Sequence, residues 1–284
     1  MTASSVAVVG AGTMGSGIAQ VFLEHGYLVV LIDVIEDQLV RGTAAIERGL
    51  ARRVRKGQLT EEQRSALLAG LRVSTALEDA ISAPLIIEAI VERLAVKEQV
   101  FAALDEGAPS ETILASNTSS ISITGLAAAT GRPDRVIGMH FMNPAPVIEL
   151  VEVIRGLDTS DGTWRTIMEL ARALDKTPVT VADSPGFALN RLLIPMINEA
   201  VYLLMEGVAS AEDIDTVIKL GANHPMGPLA LADLVGLDTC LAIMNVLHGQ
   251  LGEDKYRPCP LLRKMVASRH LGRKTGRGFY CYDA

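Results

Sequence analysis

Over the first 183 residues, short apolar runs alternate with stretches whose apolar positions recur every three or four residues. The runs suit buried strands and the longer period suits amphipathic helices. Strands are predicted at 6–9, 28–32, 71–73, 84–90, 113–115 and 178–181, with a further pair on either side of Pro144 and Pro146. Helices are predicted at 16–25, after Thr75, around 97–104, up to Leu126 and over 164–174. Residues 36–70 read as a helical excursion, broken near Gly57 and restarted by the capping-box pattern Thr60-Glu61-Glu62-Gln63. After Asp183-Ser184-Pro185-Gly186 the period becomes helical throughout. A long apolar helix over 187–205, interrupted by Pro195, leads into shorter helices. A domain boundary is therefore expected there, with 1–183 forming a sheet domain and 184–284 a helical one.

The first strand runs directly into Gly10-Ala11-Gly12-Thr13-Met14-Gly15, and the second ends at Asp33, close to the roughly 20-residue spacing of a dinucleotide site. Glycines at these positions let the backbone approach a pyrophosphate at a helix N-terminus, where unpaired N–H groups favour negative charge. Asp33 is placed to accept hydrogen bonds from ribose hydroxyls, and Val34, Ile35 and Glu36 offer no cation for a 2′-phosphate. NAD is expected as the cofactor. The predicted fold class is α/β: a Rossmann-type doubly wound sheet domain followed by an all-α C-terminal domain.

Around Pro144 and Pro146 the pattern is more specific. Neither proline can continue a strand, so the runs beginning at Val136 and Val147 are expected to be joined by a turn. If they return antiparallel about Pro146, positions 140 and 152 are equidistant from it. His140 then lies across from Glu152, and Asn143 across from Glu149. A carboxylate beside an imidazole fixes its tautomer and stabilises the imidazolium, as a general base near neutral pH requires. The competing reading is a histidine held at a strand end for packing alone.

A formal net charge of -7 argues against a nucleic-acid or anionic-membrane partner, so any anionic ligand must be held locally. Arg52, Arg53, Arg55 and Lys56 supply local cations, with 52 and 56 on one helical face, and either grip a phosphate-bearing tail or form a solvated face. Glu88 and Glu92 at a strand end are ligand-facing or structural. The run 116–120 (SNTSS) caps a helix or binds a ligand. Asn190, which falls in the buried pattern of its helix, makes a structural hydrogen bond or serves the site. His25, His248 and His270 are expected in surface or packing roles, without an acid partner or metal-type spacing, and the run 227–234 is apolar enough for core or a subunit contact. Cys240, Cys259 and Cys281 have neither disulfide-framework nor zinc spacing, so no metal is expected. With no basic leader and no stretch approaching the roughly 18 apolar residues of a membrane span, a cytoplasmic protein is expected.

Seven motifs together resemble the short-chain L-3-hydroxyacyl-CoA dehydrogenases, most closely the bacterial 3-hydroxybutyryl-CoA group, over almost the whole chain. They are GAGTMGSGIAQ at 10–20, EAIVE at 88–92, SNTSS at 116–120, GMHFMNP at 138–144, SPGFALNR at 184–191, NHPMGPLALADLVGLD at 223–238 and GRKTGRGFY at 272–280. The resemblance implies that His140 takes the 3-hydroxyl proton while Glu152 orients it, and that Asn190 and Ser119 bind the reacting oxygens. It implies that Glu92, Lys97, Asn117, Ser119, Asn143 and Lys274 line the cofactor or reacting end, and that Arg52 and Lys56 meet the phosphates of an acyl-CoA thioester. It also implies a mixed sheet, a homodimer formed through the helical domain, and closure of the two domains around CoA. Members often carry Lys where this chain has Arg52. Two rivals remain. A hydroxyisobutyrate-type dehydrogenase needs a catalytic Lys in the helix that here carries Asn190 and Arg191. A non-catalytic NAD-binding protein would be signalled by loss of His140 or Glu152, and both are present.

Overall fold

The computed structural model describes residues 5–282 and divides into two compact units, Met1–Asp183 and Ser184–Ala284. The first runs β1 (Ser5–Val9), α1 (Thr13–Glu24), β2 (Leu28–Ile32), α2 (Glu36–Arg55), α3 (Glu61–Ala69), β3 (Leu71–Ser74), β4 (Leu85–Glu88), α4 (Leu94–Gly107), β5 (Ile113–Ser116), α5 (Ile123–Ala127), β6 (Val136–Phe141), β7 (Leu150–Arg155), α6 (Asp161–Ala173) and β8 (Thr177–Ala182). One sheet contains all eight strands, in the order β3-β2-β1-β4-β5-β6-β7-β8. β1 to β6 are parallel, β7 is antiparallel to β6, and β8 is parallel to β7.

Helices cover both faces of the central strands. β4 and β6 therefore read as continuous apolar runs rather than alternating ones, and every residue of each is buried. Val8, Leu31, Ile87, Ala115, Met139 and Val153 form the core with Ile18 and Phe22 of α1 and Leu50 of α2. β8 lies at the sheet edge, where Pro178 costs no ladder hydrogen bond. The strand order reverses about β1, and open α/β sheets of this kind bind ligands at such a reversal, beyond the carboxyl ends of the strands. The helical excursion breaks at Gly57 (φ +70) and restarts at α3 with the reciprocal Thr60–Gln63 capping box.

The second unit is helical: α7 (Leu189–Met205), α8 (Ala211–Gly221), α9 (Pro228–Val235), α10 (Leu237–Leu251) and α11 (Pro260–Ala267). Its core gathers Ile197, Leu229, Leu237, Met244 and Leu247. No single helix among the described residues is long and apolar enough to cross a membrane; α9 and α10 pass such a test only as a pair bent by 98°. Leu229 and Ala232 place the apolar 227–234 run in this core.

Three local expectations are corrected. α7 begins at Leu189 rather than at Phe187, because Phe187 occupies the left-handed region at φ 50. The buried amide of α7 is Asn198, which donates to the Arg257 carbonyl and accepts from Cys259 N, whereas Asn190 is half-buried in the first turn. His25 does have an acid beside it: its Nε2 lies 3.2 Å from Asp175 Oδ2, a contact made by tertiary folding across the unit.

Candidate active site

The β6–β7 hairpin sets the centre of the site. His140 pairs with Glu152 in the antiparallel register, and His140 Nδ1 lies 2.9 Å from Glu152 Oε2. The two residues are 6% and 2% exposed. A carboxylate accepts only, so the hydrogen shared between them is donated by Nδ1. β6 ends and β7 begins at the carboxyl edge of the parallel strands. Asn143 and Glu149 fall outside the ladder, in the turn, because the prolines end the pairing before it reaches them. Lys176 Nζ pins that turn by donating to the carbonyls of Ala145 and Ile148 at 2.7 and 2.9 Å. Burial holds this ammonium below its usual range, and sequence reasoning missed the residue, since its partners are carbonyls of a remote turn.

Next to the hairpin, the 117–120 segment follows β5. Asn117 Oδ1 accepts from Phe141 N at 2.8 Å, linking this segment to the residue after His140. Glu92 Oε1 accepts from Thr118 Oγ1 at 2.5 Å, from the N–H groups of Ser119 and Ser120 at 3.0 and 3.1 Å, and from both serine hydroxyls. Burial pushes the Glu92 carboxyl upward, but the Lys97 charge and the donors from Thr118 and Ser119 outweigh it and hold it below the ordinary range. Glu92, Lys97, Thr118 and Ser119 thus form one connected group, and Asn117 ties the same segment to β6.

At the other side of the reversal the glycine turn has the shape a dinucleotide needs. Gly10 has φ +107, and a Cβ there would lie 2.5 Å from the Ala89 carbonyl oxygen; one at Gly15 would lie 1.7 Å from Gly10 O. Any other residue would push the turn off the sheet. At Gly12, by contrast, nothing lies within 4 Å of a built Cβ, and α1 starts there with no side-chain cap. The N–H groups of the first turn, from Thr13 and Met14 onward, are thus offered to an anion. Asp33 Oδ2 accepts from Ala11 N at 2.8 Å and Oδ1 from Ile35 N at 3.0 Å. The carboxylate is held at the end of β2, with no cation among the next three residues. These residues fit NAD.

A cavity of about 610 Å³ lies within the first unit, lined by Arg52, Arg53 and Lys56 of the excursion and by the turn from Asn143 to Val147. Arg53 is paired with Glu24, while the exposed Arg52 and Lys56 lie one turn apart at the end of α2. In the second unit, Lys274 is exposed and forms a two-oxygen ion pair with Asp238 at 2.6 and 2.7 Å. No group of three His, Cys, Asp or Glu suited to a metal occurs among the described residues.

The family models for the NAD-binding domain and the C-terminal domain of 3-hydroxyacyl-CoA dehydrogenase match residues 5–184 and 186–282. The chain belongs to the 3-hydroxyacyl-CoA dehydrogenase family. It is an NAD-dependent oxidoreductase of that family. A protein of Bacillus subtilis (strain 168) named as a probable 3-hydroxybutyryl-CoA dehydrogenase is 55% identical, over 100% of this chain and 99% of that one. The human mitochondrial hydroxyacyl-coenzyme A dehydrogenase is 46% identical over 98% of this chain and 90% of its own. The crystal structure of (S)-3-hydroxybutyryl-CoA dehydrogenase from Ralstonia eutropha superposes with a TM-score of 0.96 at 50% identity, covering both chains fully. This dehydrogenase is accordingly neither of the hydroxyisobutyrate type nor a non-catalytic NAD-binding relic.

Proposed function

We propose that this dehydrogenase interconverts short-chain (S)-3-hydroxyacyl-CoA and 3-ketoacyl-CoA thioesters, (S)-3-hydroxybutyryl-CoA and acetoacetyl-CoA among them. The observation that carries the reading is the buried 2.9 Å contact between His140 and Glu152 at the carboxyl edge of the sheet. In oxidation, His140 Nε2 takes the proton of the 3-hydroxyl while Glu152, on Nδ1, offsets the imidazolium charge; in reduction the same nitrogen returns the proton. NAD, when bound, supplies the hydride acceptor, and NADH the donor. Ser119 and Asn190 hold the reacting oxygens.

Gly10 to Gly15 and Asp33 bind the dinucleotide, and Glu92, Lys97, Asn117, Asn143 and Lys274 line the cofactor or reacting end, the buried Lys97 from behind Glu92. Arg52 and Lys56, as local cations on an acidic protein, receive the CoA phosphates. Residues 1–183 serve as the cofactor domain, with its excursion at 36–70, and 184–284 as the substrate and dimerisation domain. A homodimer is proposed to form through that domain. The acidic balance supports a reading without nucleic-acid or membrane partners. The three unpaired cysteines fit a reducing, cytoplasmic setting.

The test is loss of NADH absorbance with acetoacetyl-CoA and with longer 3-ketoacyl-CoA esters. His140→Ala should lower kcat by about 10²–10⁴-fold, the usual worth of a positioned acid–base, with NADH affinity near wild type. An equal loss of NADH binding would remove His140 from the proton-transfer role, and no turnover by the wild type with any ester would sink the proposal.

A further inference from the structure

Beneath the proposed site, five side chains close a ring of polar contacts. Glu88, the last residue of β4, is 0% exposed. Its Oε1 accepts from Lys97 Nζ at 2.5 Å and from Ile90 N at 2.7 Å, and its Oε2 accepts from Ser116 Oγ at 2.7 Å. Ser116 Oγ in turn accepts from Thr118 N at 3.1 Å. Thr118 Oγ1 donates to Glu92 Oε1, and Glu92 Oε2 lies 3.3 Å from Lys97 Nζ, which closes the circuit.

Lys97 is itself 1% exposed. Withdrawing both charges from water is expensive, and well-packed apolar residues in place of such a pair are often as stable or more so. A stabilising role is therefore a weak account of this pair. Its effect on geometry is specific. Glu88 reaches the 118–120 segment along two limbs, through Ser116 to Thr118 N and through Lys97 to the carboxylate that collects the N–H groups of Ser119 and Ser120. It also fixes Ile90 N, beside the Ala89 carbonyl against which Gly10 packs.

We infer that Glu88 is a positioning residue for the reaction: by holding Ser116 and Lys97 it sets where Ser119 meets the substrate oxygen and where the glycine turn rests. The inference rests on the proposed dehydrogenation, in which Ser119 binds a reacting oxygen. Glu88 itself touches neither substrate nor cofactor. A carboxylate suits the task because each of its oxygens accepts from a different limb, whereas an amide of the same shape must turn a donor toward one of them.

The experiment is a double-mutant cycle of Glu88→Gln and Ser119→Ala in the full-length enzyme, read as kcat/KM for acetoacetyl-CoA, with hydrogen exchange across 117–121 measured in parallel. Glu88→Gln is expected to lower kcat/KM by between about tenfold and a hundredfold, as a misplacement of around 1 Å does, and to speed exchange across 117–121. In the Ser119→Ala background it should add little, since both changes act on one contact. Ser116→Ala cuts one limb without leaving a charge unpaired, and should show the same non-additivity at smaller size if Glu88→Gln does not fold. Losses that multiply in the double variant, or unchanged exchange across 117–121, would overturn the positioning role. A wild type inactive on acetoacetyl-CoA would overturn the proposed function instead, and the exchange measurement would still decide the question for Glu88.

Discussion

The two units treat their buried acids differently. Among the described residues four carboxylates are buried, Glu88 and Glu152 in the sheet unit and Asp215 and Asp233 in the helical one. The glutamates accept from a basic side chain each, Lys97 and His140, with Glu88 also taking Ile90 N and Ser116 Oγ. The aspartates accept from backbone and phenol. Asp215 takes Leu229 N and Ala230 N at the start of α9 and the Tyr280 hydroxyl; Asp233 takes Phe279 N, Tyr280 N and the Tyr282 hydroxyl. Burial and the neighbouring Asp215 push the Tyr280 phenol well above its ordinary range, so it remains a donor. What a buried acid contributes is decided by its donors. In the sheet unit the donors include an ammonium and an imidazole, beside the residues proposed for catalysis, whereas in the helical unit N–H groups and phenols tie the acid to holding the chain.

Three variants press on this contrast. The largest effect is expected for Glu152→Gln, which leaves a neutral amide beside His140: kcat should fall by about 10²-fold or more as imidazolium stabilisation is lost, with a modest change in KM and little change in Tm. Ordinary kcat would break the pairing of acid with chemistry. Asp215→Ala should act on stability, since a buried N–H, a half-buried N–H and one hydroxyl lose a charged acceptor; a loss of about 2–4 kcal/mol is expected in denaturant unfolding, with kcat unchanged below the transition. Lost turnover at wild-type stability would break the contrast from the other side.

Glu92 lies between the two classes, accepting from Lys97 and from backbone N–H groups, and should give the smallest effect. Its folded pKa is held below the ordinary 4.5, so its contribution is complete above that value and is lost as pH falls through the lower folded value. Acid titration of unfolding should show this loss below about pH 4.5 in the wild type, and a flatter curve in Glu92→Gln. Parallel curves would place Glu92 outside the linkage.

Much of the sheet was legible because its central strands, covered on both faces, are apolar but for Glu88, Ser116 and His140 at or next to their carboxyl ends, and because glycine turns and helix caps announce themselves over a few residues. The register of His140 with Glu152 was legible for a related reason: an antiparallel pair about a proline turn has only local symmetry to obey. The Glu88 ring was not. It joins β4, β5 and α4, and only the parallel register Glu88↔Ser116 brings its members together. The same holds for His25 with Asp175, and for Lys176 with the turn carbonyls, whose partners are distant in sequence.

By itself, then, the order of apolar runs, the Gly10–Gly15 turn and the acid at Asp33 determined an α/β sheet with a dinucleotide edge, because those features depend on backbone sterics and local period. Tertiary structure alone decided which acids would be buried, and beside which donors. Withdrawing a charge from water is tolerable only where remote chain segments converge to supply its hydrogen bonds, and that convergence is a property of the folded sheet and helices, not of any stretch within them.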